Sequence, residues 1–157
     1  MKKEIRIVDY RPEHGKAFKE MNQRWIEKYF KMEASDHKAL DNPEASVLEK
    51  GGAILVAYYR DAIAGICALV KLQDLPYDYE LSKMAVDPEF QGLGIGSVLA
   101  KAIEDRAVSL GGKTLYIESN TILGPAMKLY RKLGFKEIKG DWSPYERCNI
   151  YFLKDIG

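Results

Sequence analysis

The segment Gln91-Gly92-Leu93-Gly94-Ile95-Gly96-Ser97 sets three alternate glycines between a strand-like run and a long amphipathic helical run. Glycines remove Cβ atoms and let the chain take φ > 0, so a tight turn here can aim several N–H groups at one point. The helix that follows adds the positive end of its dipole, and the combination suits a phosphate. A strand-to-helix turn with nothing bound explains the same glycines equally well. Either way, a strand must enter this loop and a helix must leave it.

Two other glycine-loop architectures fit less well. A P-loop needs Lys followed by Ser or Thr after its last glycine, whereas Ser97-Val98-Leu99 follows Gly96. A dinucleotide-binding turn is closer. Gly92-x-Gly94-x-x-Ser97 resembles its spacing, and Glu118 lies roughly 20 residues on, where a ribose-binding acid belongs. In that unit, however, the strand runs directly into the first glycine. Here Asp87-Pro88-Glu89-Phe90-Gln91 intervenes after the apolar Met84-Ala85-Val86, and a proline interrupts a central strand. A dinucleotide-binding enzyme is kept as an alternative.

The 157 residues suit a single domain spanning 1–157, long enough to bury a sizeable core. With 24 basic and 23 acidic residues there is no overall field to attract nucleic acid, so an anion site must be local. No apolar run approaches the ~18 residues of a membrane span. Met1-Lys2-Lys3-Glu4-Ile5 leads into strand pattern without the apolar core of a signal peptide, and the expectation is a cytoplasmic protein with no membrane partner. Cys67 and Cys148 read as reduced thiols rather than a disulfide framework. His14 and His37 have no partner at ligand spacing and read as surface residues, so no metal is expected.

Periodicity places a strand over 4–8, then a helix opened near Pro12 with Phe18, Met21, Trp25, Ile26, Tyr29 and Phe30 on its apolar face. A second helical stretch over 35–50 is broken by Asn42-Pro43 into two short pieces and stopped by Gly51-Gly52. Strands are expected over 53–58 and 62–72, joined as a hairpin, and over 79–86. A helix runs from Ile95 to Leu110, a strand from Thr114 to Glu118, and a further helix through Ala126, Leu129, Tyr130 and Leu133 to Gly134. Strands over 135–138 and 149–153 end the chain. The order predicts an α/β domain with a mixed, mostly antiparallel central sheet of about six to seven strands flanked by about four helices. The glycine loop then lies at the C-terminal end of a strand inside a strand–helix–strand crossover, where α/β proteins bind ligands.

Met84-Ala85-Val86-Asp87-Pro88 followed by Gln91-x-x-Gly94-x-Gly96, with Ala126-x-x-Leu129-Tyr130-x-x-x-Gly134-Phe135 further on, resembles the two signature segments of the GNAT acyltransferases. That family moves acetyl or other acyl groups from coenzyme A to amines. The run from Leu81 to Val86 and Tyr116-x-Glu118-Ser119-Asn120 also look like the acetyltransferase half of bacterial proteins that carry a winged-helix regulator. No winged-helix segment is read in this chain, so DNA binding is not carried over.

The resemblance implies an N-acetyltransferase with acetyl-CoA as co-substrate. Backbone N–H groups of Gln91, Gly92, Leu93, Gly94, Ile95, Gly96 and Ser97 would hold the pyrophosphate. It also implies a bulged strand that splays from its neighbour, with backbone groups of Met84, Ala85 and Val86 pairing with the pantetheine amides as an added strand and an N–H near Ala85 serving the oxyanion. Glu80 matches the family position of a glutamate that takes the ammonium proton, with a strand-edge surface charge as the plain alternative. Tyr130 matches the tyrosine that protonates the departing thiolate, with core packing as its alternative. Many relatives place Asn where this chain has Leu123. Asn120 either takes over that contact to coenzyme A or caps the helix, and the cap is preferred. The basic group for the 3′-phosphate stays open among Lys101, Arg131 and Lys132.

In the family the acceptor site is walled by the first two helices and the last strands, which here offer Trp25, Tyr29, Phe30, Tyr77, Tyr79, Trp142 and Tyr145. The resemblance leaves the amine unnamed and allows a homodimer. A non-catalytic acyl-CoA-binding sensor is a further alternative.

Overall fold

The computed structural model describes residues 4–140 and 142–157. Strand β1 (Ile5–Asp9) is followed by a 3-10 turn over Pro12–His14, helix α1 (Gly15–Tyr29), helix α2 (Ala34–Asp41) and a π-helical turn over Glu44–Leu48. Strands β2 (Ala53–Tyr59), β3 (Ala62–Lys71) and β4 (Tyr79–Val86) come next. Then follow a 3-10 turn at Pro88–Phe90, α3 (Ile95–Ser109), β5 (Thr114–Ser119), α4 (Gly124–Lys132), β6 (Lys136–Ile138) and β7 (Ile150–Asp155).

The elements match the periodicity reading to within a residue or two at most ends. Pro88 does end β4, and Asp87 accepts the Glu89 N–H at the start of the turn it opens.

Among the described residues seven strands form one sheet in the order β1-β2-β3-β4-β5-β7-β6. Neighbours run antiparallel except β4 and β5. That exception follows from the connection, because only a crossover through a helix such as α3 can return a chain parallel to the strand it left.

Helices cover both faces. On one, Ile95, Leu99, Ile103 and Ala107 of α3, with Met127 and Tyr130 of α4, pack on Leu55, Cys67, Leu69, Leu115 and Phe152. On the other, Phe18 and Ile26 of α1 and Leu40 of α2 pack on Ile54, Val56, Ile66 and Ala68. Helix α3 approaches β3 so closely at Gly65 that a Cβ there would lie 2.8 Å from Ile95 Cγ2.

The surface placement expected for His14 does not hold. It is 4% exposed; its Nδ1 accepts the Arg11 N–H at 2.9 Å and its Nε2 lies 3.0 Å from the Tyr58 hydroxyl. Both ring nitrogens are satisfied where the start of α1 sits on β2. His37 is exposed. Both cysteines are free thiols, Cys67 buried and Cys148 half-buried. Among the described residues no helix is long and apolar enough to cross a membrane.

Phe18, fully buried in the α1 face, measures how much that helix is held by packing. Phe18→Ala is expected to lower the free energy of unfolding by about 3–5 kcal/mol, read by urea denaturation. A loss under about 1 kcal/mol would mean that the site collapses around the void.

Candidate active site

The site begins with one extra residue in β4. Ala68 of β3 faces Ser82 and Ile66 faces Ala85, so Lys83 and Met84 together oppose Cys67. Lys83 takes the extra position with φ of 52°, a left-handed backbone that a non-glycine residue adopts only when its surroundings enforce it. A bulge shifts the two-residue alternation by one. Tyr79 and Leu81 therefore pack in the α3 core, and after the bulge Met84 and Val86 pack against that same core while Ala85 turns to the α1 side. The switch of apolar phase between Leu81 and Met84 is the sequence signal that marks this bulge.

Beyond it, β4 and β5 part. Their ladder holds only Tyr79 to Leu115 and Glu80 to Tyr116, while β5 continues along β7 as far as Ser119. On the other side of β4, the Asp87 N–H donates to Ala64 O. Alternation then turns the Ala85 N–H toward β3 as well, leaving those of Met84 and Val86 facing the gap.

A cleft of about 560 Å³ occupies the gap. Its walls include Glu80, Met84, Val86, Gln91, Gly92, Gly94, Ile95, Gly96, Asn120 and Tyr130. Three of the sequence candidates do not line it. Ala85 is buried under α1, Leu93 packs against the α3 core, and Ser97 lies one position further into the helix.

At one end the cleft meets the glycine loop. Gly92 and Gly94 both have φ of 83°, and Gly94 caps α3 without any side-chain hydrogen bond. The first intrahelical bond runs from Val98 N–H to Gly94 O, so the N–H groups of Ile95, Gly96 and Ser97 precede the helix's own ladder. Of the basic candidates, Lys101 pairs with Glu104 and Asp105, and Arg131 lies 3.8 Å from Glu137.

Glu80 and Glu118 stand across the parting point. The Glu80 carboxylate receives no hydrogen bond among the described residues. Burial, and next the charge of Glu118, push it up to about 8 against the lowering pull of Lys83. Glu118 is held differently, accepting from Ser143 Oγ at 2.6 Å and the Tyr116 hydroxyl at 2.9 Å. Tyr130, 8% exposed, meets Phe135 and Phe152 edge-on, yet its hydroxyl has no hydrogen-bond partner among the described residues and faces the cleft. Burial holds that phenol well above its ordinary range.

Asn120 is not the helix cap. The N-cap of α4 is Leu123, which makes no side-chain bond. Asn120 accepts the Ile122 N–H at 2.9 Å and donates to Arg147 O at 2.7 Å, which fixes the turn before α4 to the segment before β7.

The opposite end carries a charge cluster that the sequence reading missed. Asp36, at 0% exposure, binds both terminal nitrogens of Arg147 at 2.6 Å and Lys83 Nζ at 2.8 Å. Lys83 also donates to the Tyr145 hydroxyl at 2.8 Å. Glu33 accepts from Arg147 and from the Glu146 N–H. Burial alone would raise the Asp36 carboxyl, but Arg147, Lys83 and the Glu33 N–H outweigh it and hold it at about 2.

Of the aromatic candidates, Trp25, Tyr29, Phe30 and Tyr145 line the cleft, together with Asn22 and Cys148. Tyr77 instead stacks on Tyr116 at 5.2 Å, Tyr79 is buried in the core, and Trp142 is 60% exposed. The acidic residue and the cations come from separate stretches of chain, so no local motif announces them. Among the described residues no group of His, Cys, Asp and Glu is gathered for a metal.

An open mixed sheet whose one parallel pair parts over a glycine loop and a bare helix N-terminus defines an acyltransferase-type fold. The family profile described as Acetyltransferase (GNAT) family matches residues 18–135, and the chain belongs to that family. It is 36% identical over 89 residues to N-alpha-acetyltransferase RimI of Mycobacterium tuberculosis, covering 57% of this chain and 50% of that protein. The chain thus spans about half the length of that curated relative.

Similarity to YjgM of Escherichia coli, described as an N-acetyltransferase, is 32% over 113 residues, 69% of this chain and 66% of that one. A GNAT-family acetyltransferase structure from Staphylococcus aureus superposes with a TM-score of 0.86 at 22% identity, covering 98% of this chain and 99% of the other. The yncA structure from Salmonella typhimurium, solved with acetyl-CoA, gives a TM-score of 0.79 at 16% identity, covering 98% of this chain and 95% of the other. At these identities the structures establish the fold.

The ion cluster makes a stability prediction. Asp36→Asn leaves two buried cations short of a counter-charge and should lower the unfolding free energy at neutral pH by about 3–5 kcal/mol. The wild-type carboxyl sits below its unfolded value of ~3.9, so its contribution is complete above that pH and disappears as pH falls through about 2. The wild-type advantage in urea midpoint should therefore narrow between those values, and a gap that stays constant with pH would contradict this account.

Proposed function

We propose that the protein is an acetyl-CoA-dependent N-acetyltransferase that passes the acetyl group directly to a primary amine within a ternary complex. The observation that carries this reading is the placing of Glu80 and Tyr130 on one cleft, between parted strand edges that lead to an uncapped helix N-terminus. The exposed backbone edge of β4 from Met84 to Val86 suits the amides of a pantetheine arm, as an added strand would. The N–H groups around Gly94, Ile95, Gly96 and Ser97 suit the pyrophosphate.

Direct transfer requires the amine to lose a proton before it attacks the thioester carbon. Glu80, lifted to about 8 and free of hydrogen bonds, is matched to take that proton near neutrality, directly or through water. An N–H of Met84 or Val86 would meet the oxyanion. As the C–S bond breaks, the Tyr130 O–H donates to the departing thiolate, and its raised pKa keeps that proton in place until then. The net change is an amide formed, a thioester cleaved and one proton released. The attacking nitrogen sheds its second proton as the tetrahedral intermediate collapses, which replaces the proton Tyr130 gave to the thiolate, and Glu80 passes its own proton to solvent. Asn120 is already committed to Ile122 and Arg147, so its part is to shape the cleft wall.

Two substitutions test these roles by steady-state kinetics. In wild type, kcat/KM should climb with pH through about 8 as Glu80 ionises. Glu80→Gln should flatten that limb and lower kcat about 100-fold or more, with acetyl-CoA affinity unchanged; wild-type turnover in this variant would remove Glu80 from the base role. Tyr130→Phe should slow thiol release to a similar extent, whereas an unchanged rate at every pH would leave Tyr130 a packing residue.

A further inference from the structure

The charge lining of the cleft narrows the kind of amine it accepts. The residues at the end remote from the glycine loop are Asn22, Trp25 and Tyr29 from α1 and Phe30 just after it, Tyr145 and Arg147 from the segment before β7, and Glu80, Lys83 and Glu118 from the sheet. Two cations lie in that wall, and both are spent. Both terminal nitrogens of Arg147 are bound to Asp36, with Glu33 adding a second acceptor. Lys83, its side chain 5% exposed, is bound to Asp36 and Tyr145.

Asp36 and Glu33 lie behind the wall and cancel those charges from outside the cleft. What remains facing the cleft is acidic. Glu118 is held by two neutral hydroxyl donors rather than by a cation, and Glu80 stands beside it without a hydrogen bond. A ligand entering here meets the Glu118 carboxylate with no free cation among the described residues of the wall to offset it.

The rest of the wall is apolar and ring-bearing. Trp25 and Tyr29 have ring centroids 5.5 Å apart, and Phe30 lies 6.4 Å from each. The Arg147 guanidinium closes this wall by stacking 4.5 Å over Tyr145 and 5.9 Å over Phe30. The segment before β7 is tied to the start of α2 by Glu146 and Arg147 and to the β4 bulge by Tyr145. These cross-ties fasten the walls that would have to separate for a polypeptide to run through.

We infer that the acceptor is a compact primary amine on an apolar, ring-bearing body, with no carboxylate on the carbon that carries the nitrogen. The ammonium is attracted by Glu118 and delivered to Glu80. The ring lies against Trp25, Tyr29 and Phe30, where aromatic faces favour it. A free amino acid would bring its own carboxylate to within a few ångströms of Glu118, where like charges in a desolvated site repel strongly.

This inference rests on the acetyltransferase reading, and the experiment separates the two. The full chain is assayed for thiol release with acetyl-CoA and matched acceptors: phenethylamine against phenylalanine, tyramine against tyrosine, and a short peptide amide with N-terminal phenylalanine. Acetyl-CoA binding is measured alongside by equilibrium dialysis. The expected result is that kcat/KM for each amine exceeds that of its amino acid by about tenfold or more, with the peptide also below the amine.

Glu118→Gln, which keeps the shape and hydrogen-bonding reach of the side chain, should narrow the amine-to-amino-acid ratio. Trp25→Ala should raise KM for the ring-bearing amines more than it lowers kcat, a split that mere loss of fold would not give. If an amino acid or the peptide is preferred, or the ratio survives Glu118→Gln, the inference falls while the acetyltransferase reading stands. If acetyl-CoA does not bind, or binds and no amine is acetylated, the reading itself falls and the inference with it.

Discussion

The single extra residue at Lys83 is the constraint on which the site depends. A strand in unbroken register with β3 would keep one alternation from Tyr79 to Val86. The bulge reverses it midway, so that Leu81 and Met84 both belong to the α3 core although their spacing is odd. It also gives the strand a bend next to the place where its ladder with β5 ends at Glu80. A left-handed lysine is strained by roughly 1–3 kcal/mol, and the strain is held by what Lys83 touches. Its ammonium is seated on Asp36 and Tyr145, so the bulge, α2 and the segment before β7 are fixed together. Geometry in the middle of the sheet is thereby tied to the acceptor-side wall.

Electrostatics in the cleft follow from the same arrangement. A buried carboxylate usually finds a cation or several N–H donors, and Asp36 does so. Glu80 does not, although Lys83 is close enough to act on it through space. Because Asp36 has taken the hydrogen bonds of both Lys83 and Arg147, Glu80 keeps the raised affinity for protons that burial and Glu118 confer. Arg147 and Lys83 hold Asp36 at about 2 against its burial, while burial and Glu118 push Glu80 up to about 8 with Lys83 pulling the other way. Separation of this kind is how a site obtains a structural acid and a reactive base from identical functional groups.

Much of this was legible in the chain. Pro88, Gly94 and the apolar stripe of α3 fixed the end of β4, the loop and the helix, because each acts through local backbone preference. The mostly antiparallel sheet and the parallel return after α3 followed from the element sequence and the rule that parallel neighbours need a crossover, whereas the seating of β7 between β5 and β6 did not. The residues that failed to show themselves act at long range. Asp36 and Arg147 come together across the fold, and nothing near either in sequence marks it as buried. His14 looked like a surface histidine because its partner Tyr58 lies on another element. Tyr79 resembled a pocket aromatic by position, yet alternation places it in the core. Asn120 stands where a cap residue is plausible, but the tertiary bond to Arg147 O draws it into a turn ahead of the helix. The bulge lies between these cases, for its signal, the phase switch between Leu81 and Met84, is present in the sequence but gains meaning only once a neighbouring strand sets the register.

The central claim is that the parted strands and the glycine loop form a coenzyme A site. Calorimetric titration of the full chain with acetyl-CoA, coenzyme A and NAD tests it most directly. The account predicts saturable binding of the first two with one site per chain, and no heat of binding from NAD. Binding of NAD with none of coenzyme A would contradict it, because the same loop would then serve a dinucleotide and the gap between β4 and β5 would have no pantetheine to hold.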